Sequence, residues 1–283
     1  MVEKEVFKKI LVPIDGSRLS VMAEETAASI AGKTGASITA LYVLPEILSV
    51  YPLPAAVEQD LLGSVRQRSE KALNSARTLF NEENVQANTE TASGDPAENI
   101  LRFSNEGYDL IVMGAHGENE TEPYALGSVT RKVIMHTDCA TLITKKVTDP
   151  SRMLVCVDGS EHSKRALAYV FRLGEKLGSE ITLINVQEHA LHKVSPKVAE
   201  ELSARVFESV LSSVGKTTLK VERRLEIGVP SKTILETSRK GGYNLIVLGR
   251  RGTGSVKRFL LGSVTDSVSQ KAECSVLIVP EQK

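Results

Sequence analysis

The sequence predicts an α/β protein built from two tandem doubly wound domains. Each is expected to be a five-stranded parallel sheet, in the order 3-2-1-4-5, with helices on both faces. Three observations lead there. The chain is written twice along its length; each copy alternates short apolar runs with amphipathic stretches; and the runs are nearly continuous, as in strands buried on both faces. The copies divide the 283 residues into 1–147 and 148–283, two domains of ordinary size.

Taken in order, the elements match one by one. Ile10-Leu11-Val12-Pro13-Ile14-Asp15-Gly16-Ser17 returns as Met153-Leu154-Val155-Cys156-Val157-Asp158-Gly159-Ser160, a strand running into a turn. In the helix that follows, Ala23, Ala27 and Ile30 answer at the same offset to Ala166, Val170 and Leu173. Their i, i+4, i+7 spacing is a face that packs on a sheet. Strand two, Ile38 to Val43, matches Ile181 to Val186. Strand four, Tyr108 to Gly114, matches Tyr243 to Gly249 at a shorter offset, because the first half carries a longer stretch from Pro45 to Asn81. That stretch is expected to be a surface excursion rather than core. The seam is Lys146 to Pro150, too short for independent tumbling.

Composition narrows the function. Hydrophobic residues at 41% supply two cores, and Lys+Arg and Asp+Glu both number 35, so the net charge is zero. A general nucleic-acid or anionic-membrane binder is therefore not expected. Residues 1–9 lack the apolar stretch of a signal peptide, no run reaches membrane-spanning length, and three cysteines form no disulfide framework. A soluble cytoplasmic protein is the expectation.

In an open parallel sheet, ligands bind beyond the carboxyl ends of the strands, where strand order reverses. Asp15 and Asp158 end strand one there. After Met113 and Leu248, at the end of strand four, comes a repeated pattern G-x2-G-x9-G-S: Gly114, Gly117, Gly127-Ser128, then Gly249, Gly252, Gly262-Ser263. Glycine lets backbone approach a sugar or phosphate closely. The closing Gly-Ser opens a helix (Ser128-Val129-Thr130 and Ser263-Val264-Thr265) whose free N–H groups and dipole face an anion. Ser128, Thr130, Ser263 and Thr265 are further candidate hydroxyl donors, and the aspartates suit ribose hydroxyls. The competing reading, glycines that only shape loops and aspartates that only cap helices, loses ground because the spacing is kept twice.

These features resemble the universal stress protein family in its tandem, nucleotide-binding form. The resemblance rests on Asp-Gly-Ser after strand one, on Gly94-Asp95-Pro96 and Gly228-Val229-Pro230 before helix three, and on both glycine signatures. It implies ATP or AMP between strands one and four, with Mg²⁺ an option beside ATP. Carried over by position, adenine falls at Val43 and Val186, and ribose at Asp15 and Asp158 beside Gly114 and Gly249. Phosphates fall at Gly117, Gly127, Ser128 and at Gly252, Gly262, Ser263. The resemblance also implies that the fifth strands, Ala140 to Lys145 and Ser275 to Pro280, pair within the chain as a pseudo-dimer. A homodimer of the whole chain stays open. Cys156 in place of Pro13 is a small departure.

Other signals weigh less. Gly32-Lys33-Thr34 and Gly215-Lys216-Thr217 imitate a P-loop, but the earlier glycine position holds Ala27 or Val210, and both read as helix ends. Cys139 and Cys274 read as small buried hydrophobes rather than redox sensors. His189 and His192 lack further ligands in register, and Ser17 and Ser160 read as helix caps. The expected role is a stress-response or regulatory protein whose nucleotide occupancy tunes conformation or partners. The alternative is a slow ATPase or phosphotransferase, with His116 the best candidate base or phosphate ligand.

The two sites are expected to differ. Glu118, Glu120 and Glu122 stand near the first phosphate crevice, with His116 opposing them; Arg250, Arg251, Lys257 and Arg258 flank the second. Two unit charges 4 Å apart interact by roughly 4 kcal/mol at an effective dielectric of about 20, before salt and exposure reduce it. The second site is therefore expected to favour the triphosphate.

Overall fold

Ten strands form one sheet in the order β3-β2-β1-β4-β5-β10-β9-β6-β7-β8. The computed structural model describes residues 7–44, 55–117, 126–189, 195–215, 217–253 and 260–281. The first half comprises β1 (Lys9–Ile14), α1 (Arg18–Thr34), β2 (Ser37–Leu44), α2 (Ala55–Glu82), β3 (Ala87–Ser93), α3 (Pro96–Ser104), β4 (Leu110–Gly114), α4 (Ser128–His136) and β5 (Ala140–Thr144). The second comprises β6 (Arg152–Cys156), α5 (Glu161–Leu177), β7 (Glu180–Gln187), α6 (Pro196–Ser212), β8 (Val221–Ile227), α7 (Pro230–Gly241), β9 (Leu245–Gly249), α8 (Ser263–Lys271) and β10 (Ser275–Val279). Each half is thus the expected parallel 3-2-1-4-5 sheet.

Local chemistry sets the boundaries. Ser17 and Ser160 cap α1 and α5 by accepting hydrogen bonds from the Ser20 and Ser163 amides. α1 ends on Gly35 in the left-handed region, so Gly32-Lys33-Thr34 is its last turn. Lys216, in the second triplet, lies outside the described residues. The inner strands are buried on both faces, but the outermost, β3 and β8, are not apolar runs: neither contains a buried residue. Each is an edge strand, with a neighbouring strand on one side only.

The stretch expected to be a surface excursion is only partly so. Residues 45–54 lie outside the described residues, yet α2 continues for 28 residues. Ser69, Leu73, Ala76 and Phe80 are buried along its later turns. Their i, i+4, i+7, i+11 spacing lays that half on the sheet, as Ala199, Ser203, Phe207 and Val210 do for α6.

The halves join where β5 and β10 pair antiparallel, Leu142 opposite Leu277. Those leucines are each other's counterparts in the repeat, so a pseudo-two-fold axis passes between them. Arg131 and Asp266, also counterparts, meet across the same axis at 3.0 Å. Each C-terminal helix end is capped from the opposite half. Lys145 Nζ donates to the Gln270 carbonyl at 2.6 Å, and burial pulls its pKa down to about 8. Arg250 donates to the Met135 carbonyl at 3.2 Å and to that of Thr137. This corrects the expectation for Arg250: it is 7% exposed and spent on the seam between halves, not on a phosphate. Consecutive side chains at a strand end point to opposite sides, so Arg250 and Arg251 diverge.

Removing a buried charge-assisted donor costs about 2 kcal/mol or more and orphans two carbonyls. Arg250→Ala is expected to lower the urea midpoint accordingly. Arg131→Ala, at a more exposed pair, is expected to change stability by less than about 1 kcal/mol.

Candidate functional site

Each half has a cleft at the carboxyl ends of its first and fourth strands. In the first, Asp15, Val43, Met113, Gly114, His116, Gly117, Val129 and Thr130 share the wall of one cavity of about 150 Å³. In the second, Asp158, Val186, Leu248, Gly249, Arg251, Gly252, Gly262, Ser263, Val264 and Thr265 line one of about 340 Å³. Gly127 and Ser128 form the start of α4 beside the first cavity, the Gly127 amide donating to the Ala115 carbonyl at 2.9 Å.

The clefts are built the same way. Strand one ends and the chain turns, so its aspartate stands at the rim. Asp15 Oδ1 accepts the Ser17 amide at 2.9 Å, and Asp158 Oδ1 accepts the Ser160 amide at 3.0 Å. The glycine loop then passes directly over the carboxylate. A Cβ on Gly117 would lie 2.7 Å from Asp15 Oδ2, and one on Gly252 would lie 2.5 Å from Asp158 Oδ2. In the second half the Thr253 amide donates to Asp158 Oδ2 at 3.0 Å. A side chain at the second glycine would displace the carboxylate, whereas one at Gly249 would meet the His162 backbone carbonyl carbon at 2.8 Å.

The helices behind the loops begin without a side-chain cap. Gly127 and Gly262 occupy the N-cap positions of α4 and α8 and offer no side-chain acceptor, unlike Ser17, Ser160 and Asp95. A helix begun this way turns amide donors and its positive dipole end toward the cleft. The hydroxyls of Thr130 and Thr265 are engaged within the protein. They donate to the Gly114 and Gly249 carbonyls at 3.0 and 2.9 Å, tying each helix to the end of its strand. The β1–β2 register ends with Ile14 opposite Tyr42, leaving Val43 just past it. β6–β7 ends with Cys156 opposite Ile184, two residues short of Val186.

With two such clefts, the comparisons with known proteins fall into place. The sequence model of the universal stress protein family matches residues 7–145 and again residues 150–280. The chain belongs to the universal stress protein family. A universal stress protein of Methanocaldococcus jannaschii is 34% identical over 145 residues, spanning 50% of this chain and 85% of its own. One of Bacillus subtilis is 32% identical over 146 residues, spanning 46% of this chain and 98% of its own. The crystal structure of a universal stress protein of Archaeoglobus fulgidus superposes with a TM-score of 0.73 at 24% identity, covering 97% of this chain and 98% of that one. A functionally unknown protein of Pseudomonas aeruginosa superposes with a TM-score of 0.69 at 18% identity, covering 98% and 94%. Both share the tandem universal stress protein fold.

The charged loops expected to distinguish the sites lie largely outside the described residues, Glu118, Glu120, Glu122, Lys257 and Arg258 among them. Arg251 is described; it lines the second cleft and pairs with Glu281. Three polar groups escaped the sequence reading. In the second cleft, Asn185 Nδ2 donates to the Val157 carbonyl at 2.7 Å, and Gln187 Nε2 donates to Asn185 Oδ1 at 2.8 Å. Their counterparts are Tyr42 and Leu44, so only the second cleft carries amide side chains on its β7 wall. Behind the first cleft, Glu24 is buried on α1, where the second half has Leu167. It accepts from Ser20 Oγ at 3.0 Å, and Ser20 Oγ accepts the Asp15 amide at 3.3 Å.

Other candidates are placed elsewhere. Cys139 and Cys274 are buried, and burial pushes their thiols up, Cys139 to about 12, away from the thiolate that redox chemistry needs. His192 lies outside the described residues, among which no group of three His, Cys, Asp or Glu side chains is gathered for a metal. Among them, too, no helix is long and apolar enough to cross a membrane.

Glu24 gives a pH-dependent prediction. Burial, reinforced by Asp15 and Glu25 against the Ser20 hydrogen bond, lifts its pKa from 4.5 to about 7. Below the unfolded value it costs nothing. Between the two values the unfolded chain releases the proton first, so stability falls as pH rises, reaching a full cost on the order of 3 kcal/mol above the folded value. Glu24→Leu is expected to match wild type in urea unfolding at about pH 4.5 and to be more stable by roughly 2–3 kcal/mol at about pH 8.

Proposed function

We propose that each cleft binds one adenine nucleotide and that the protein is a binding module, its nucleotide occupancy tuning conformation or partner choice. The observation that carries this reading is the constellation present twice. An uncapped helix N-terminus opens at Gly127 or Gly262 beside a cavity whose opposite rim holds Asp15 or Asp158. The helix end suits phosphate, the carboxylate suits ribose hydroxyls, and the backbone past the strand-two register at Val43 or Val186 suits a base edge. This is a reading of binding rather than turnover.

The sites are unequal in this reading. The second cavity is the larger, about 340 against 150 Å³, and Arg251 adds a guanidinium to its wall. It takes the triphosphate, and the first takes a smaller adenine nucleotide.

Mass spectrometry of nucleotide released from the denatured protein tests occupancy, with two nucleotides per chain expected at saturation. Calorimetric titration of ATP into Gly127→Trp and Gly262→Trp, each blocking one cleft, tests the inequality. At low salt Gly127→Trp is expected to bind ATP roughly tenfold more tightly, equivalent to about 1.4 kcal/mol. Equal affinities remove the inequality, and absence of binding in both variants and in wild type removes the reading itself.

A further inference from the structure

A second kind of cavity, of about 530 Å³, runs along the groove between α7 and α8, from Ser231 and Lys232 in the first turn of α7 to Gly242 and Cys274 at its far end. Its size falls in the range of small-molecule sites. The floor is apolar: Leu235 from α7, Ile246 from β9, Ala272, and Tyr243, which is 8% exposed. At its base the Ser238 hydroxyl and Cys274 thiol are 5% and 4% exposed and hydrogen-bond each other at 3.3 Å. Lys146, Lys232, Arg239 and Lys271 stand around it, against Glu236 and Glu273. Glu236 is already engaged by Lys240 at 3.9 Å.

The first half shows what closes the equivalent groove. There Lys132 on α4 reaches across to α3 and bridges Asp95 at 3.3 Å and Glu98 at 3.2 Å. In the second half the counterpart of Lys132 is Ser267, and the two acids have become Val229 and Lys232. The strap is gone, the gap stays open, and a lysine stands where an acid stood. Helix electrostatics does not account for that lysine. Lys271 and Arg239 sit in last turns, where a cation is favourable, but Lys232 sits in the first turn of α7, where it opposes the dipole. An anion held in the groove would offset that cost.

We propose that the α7–α8 groove of the second half binds a small organic anion with a flat apolar body, its ring against Leu235 and Tyr243 and its charge among Lys232, Arg239 and Lys271. In the first half the Lys132 bridge spans the corresponding position. The site is independent of the nucleotide clefts and stands or falls separately from them.

The test is fluorescence titration of the full chain with 1-anilinonaphthalene-8-sulfonate, an aryl anion, in saturating ATP. One site per chain is expected. Lys232→Glu/Ser267→Lys rebuilds the first half's strap with exposed or half-exposed residues, and is expected to weaken that site at least tenfold. Arg239→Glu, fully on the surface, is expected to weaken it about fivefold, and the uncharged analogue N-phenyl-1-naphthylamine is expected to bind far less well. Unchanged affinity in both variants, equal binding of the neutral analogue, or complete displacement of the probe by ATP overturns the proposal.

Discussion

The antiparallel ladder between β5 and β10 is the constraint from which the rest of the molecule follows. Each half by itself would leave its fifth strand as a sheet edge; in the joined chain both strands are buried at every residue. Pairing Leu142 with Leu277 converts two five-stranded sheets into one and fixes the relation of everything on either side. It brings Lys145 and Arg250 to the carbonyl ends of the opposite helices, and Tyr169 Oη to the Asp109 carbonyl at 3.0 Å. The short seam is held down in the same way. The Thr148 amide donates to Thr26 Oγ1 at 3.1 Å, and the Thr148 hydroxyl meets that of Ser275 at 2.6 Å. With the ladder in place, the two clefts are rigidly related parts of one body.

Within each cleft the shared framework is mostly backbone. Strand ends, a glycine loop lying on a carboxylate and an uncapped helix can be copied without copying side chains, so the duplicated framework survives while the walls diverge. That divergence is concentrated on the β2 and β7 walls, where Tyr42 and Leu44 face the positions of Asn185 and Gln187, and behind the first cleft, where Glu24 replaces a leucine. The framework is common property and the walls are individual to each site.

Much of this was legible in the sequence because it is periodic or repeated. The strand cores, the caps Ser17 and Ser160 and the glycine signatures each left a pattern that spacing reveals, while the pairing of the fifth strands followed from the family resemblance. What was hidden depended on direction rather than type. Arg250 and Arg251 are neighbours in sequence, yet one crosses to the other half and the other lines the cleft. Thr130 and Thr265 are plausible phosphate donors by position, but their hydroxyls are used on the carbonyls of strand four. Glu24 looks like a solvated helix residue until it is aligned with Leu167. The stretch holding α2 read as an excursion because it differs in length between the halves, which hid the buried face of Ser69, Leu73, Ala76 and Phe80. Comparing the two halves position by position, rather than reading each alone, was the signal that would have exposed Glu24 and Asn185.

The meeting of Arg131 with Asp266 has a consequence for how such a chain can change. In an assembly of two identical subunits, a residue on the symmetry axis faces itself, so an arginine there opposes an arginine and an aspartate opposes an aspartate. Joining the copies into one polypeptide lifts that restriction: a position on the axis can carry one charge on one side and its complement on the other. The Arg131–Asp266 contact at 3.0 Å uses this freedom, and it marks the correct partner for each half as the other half of the same chain, since two copies of either one would repel at that point.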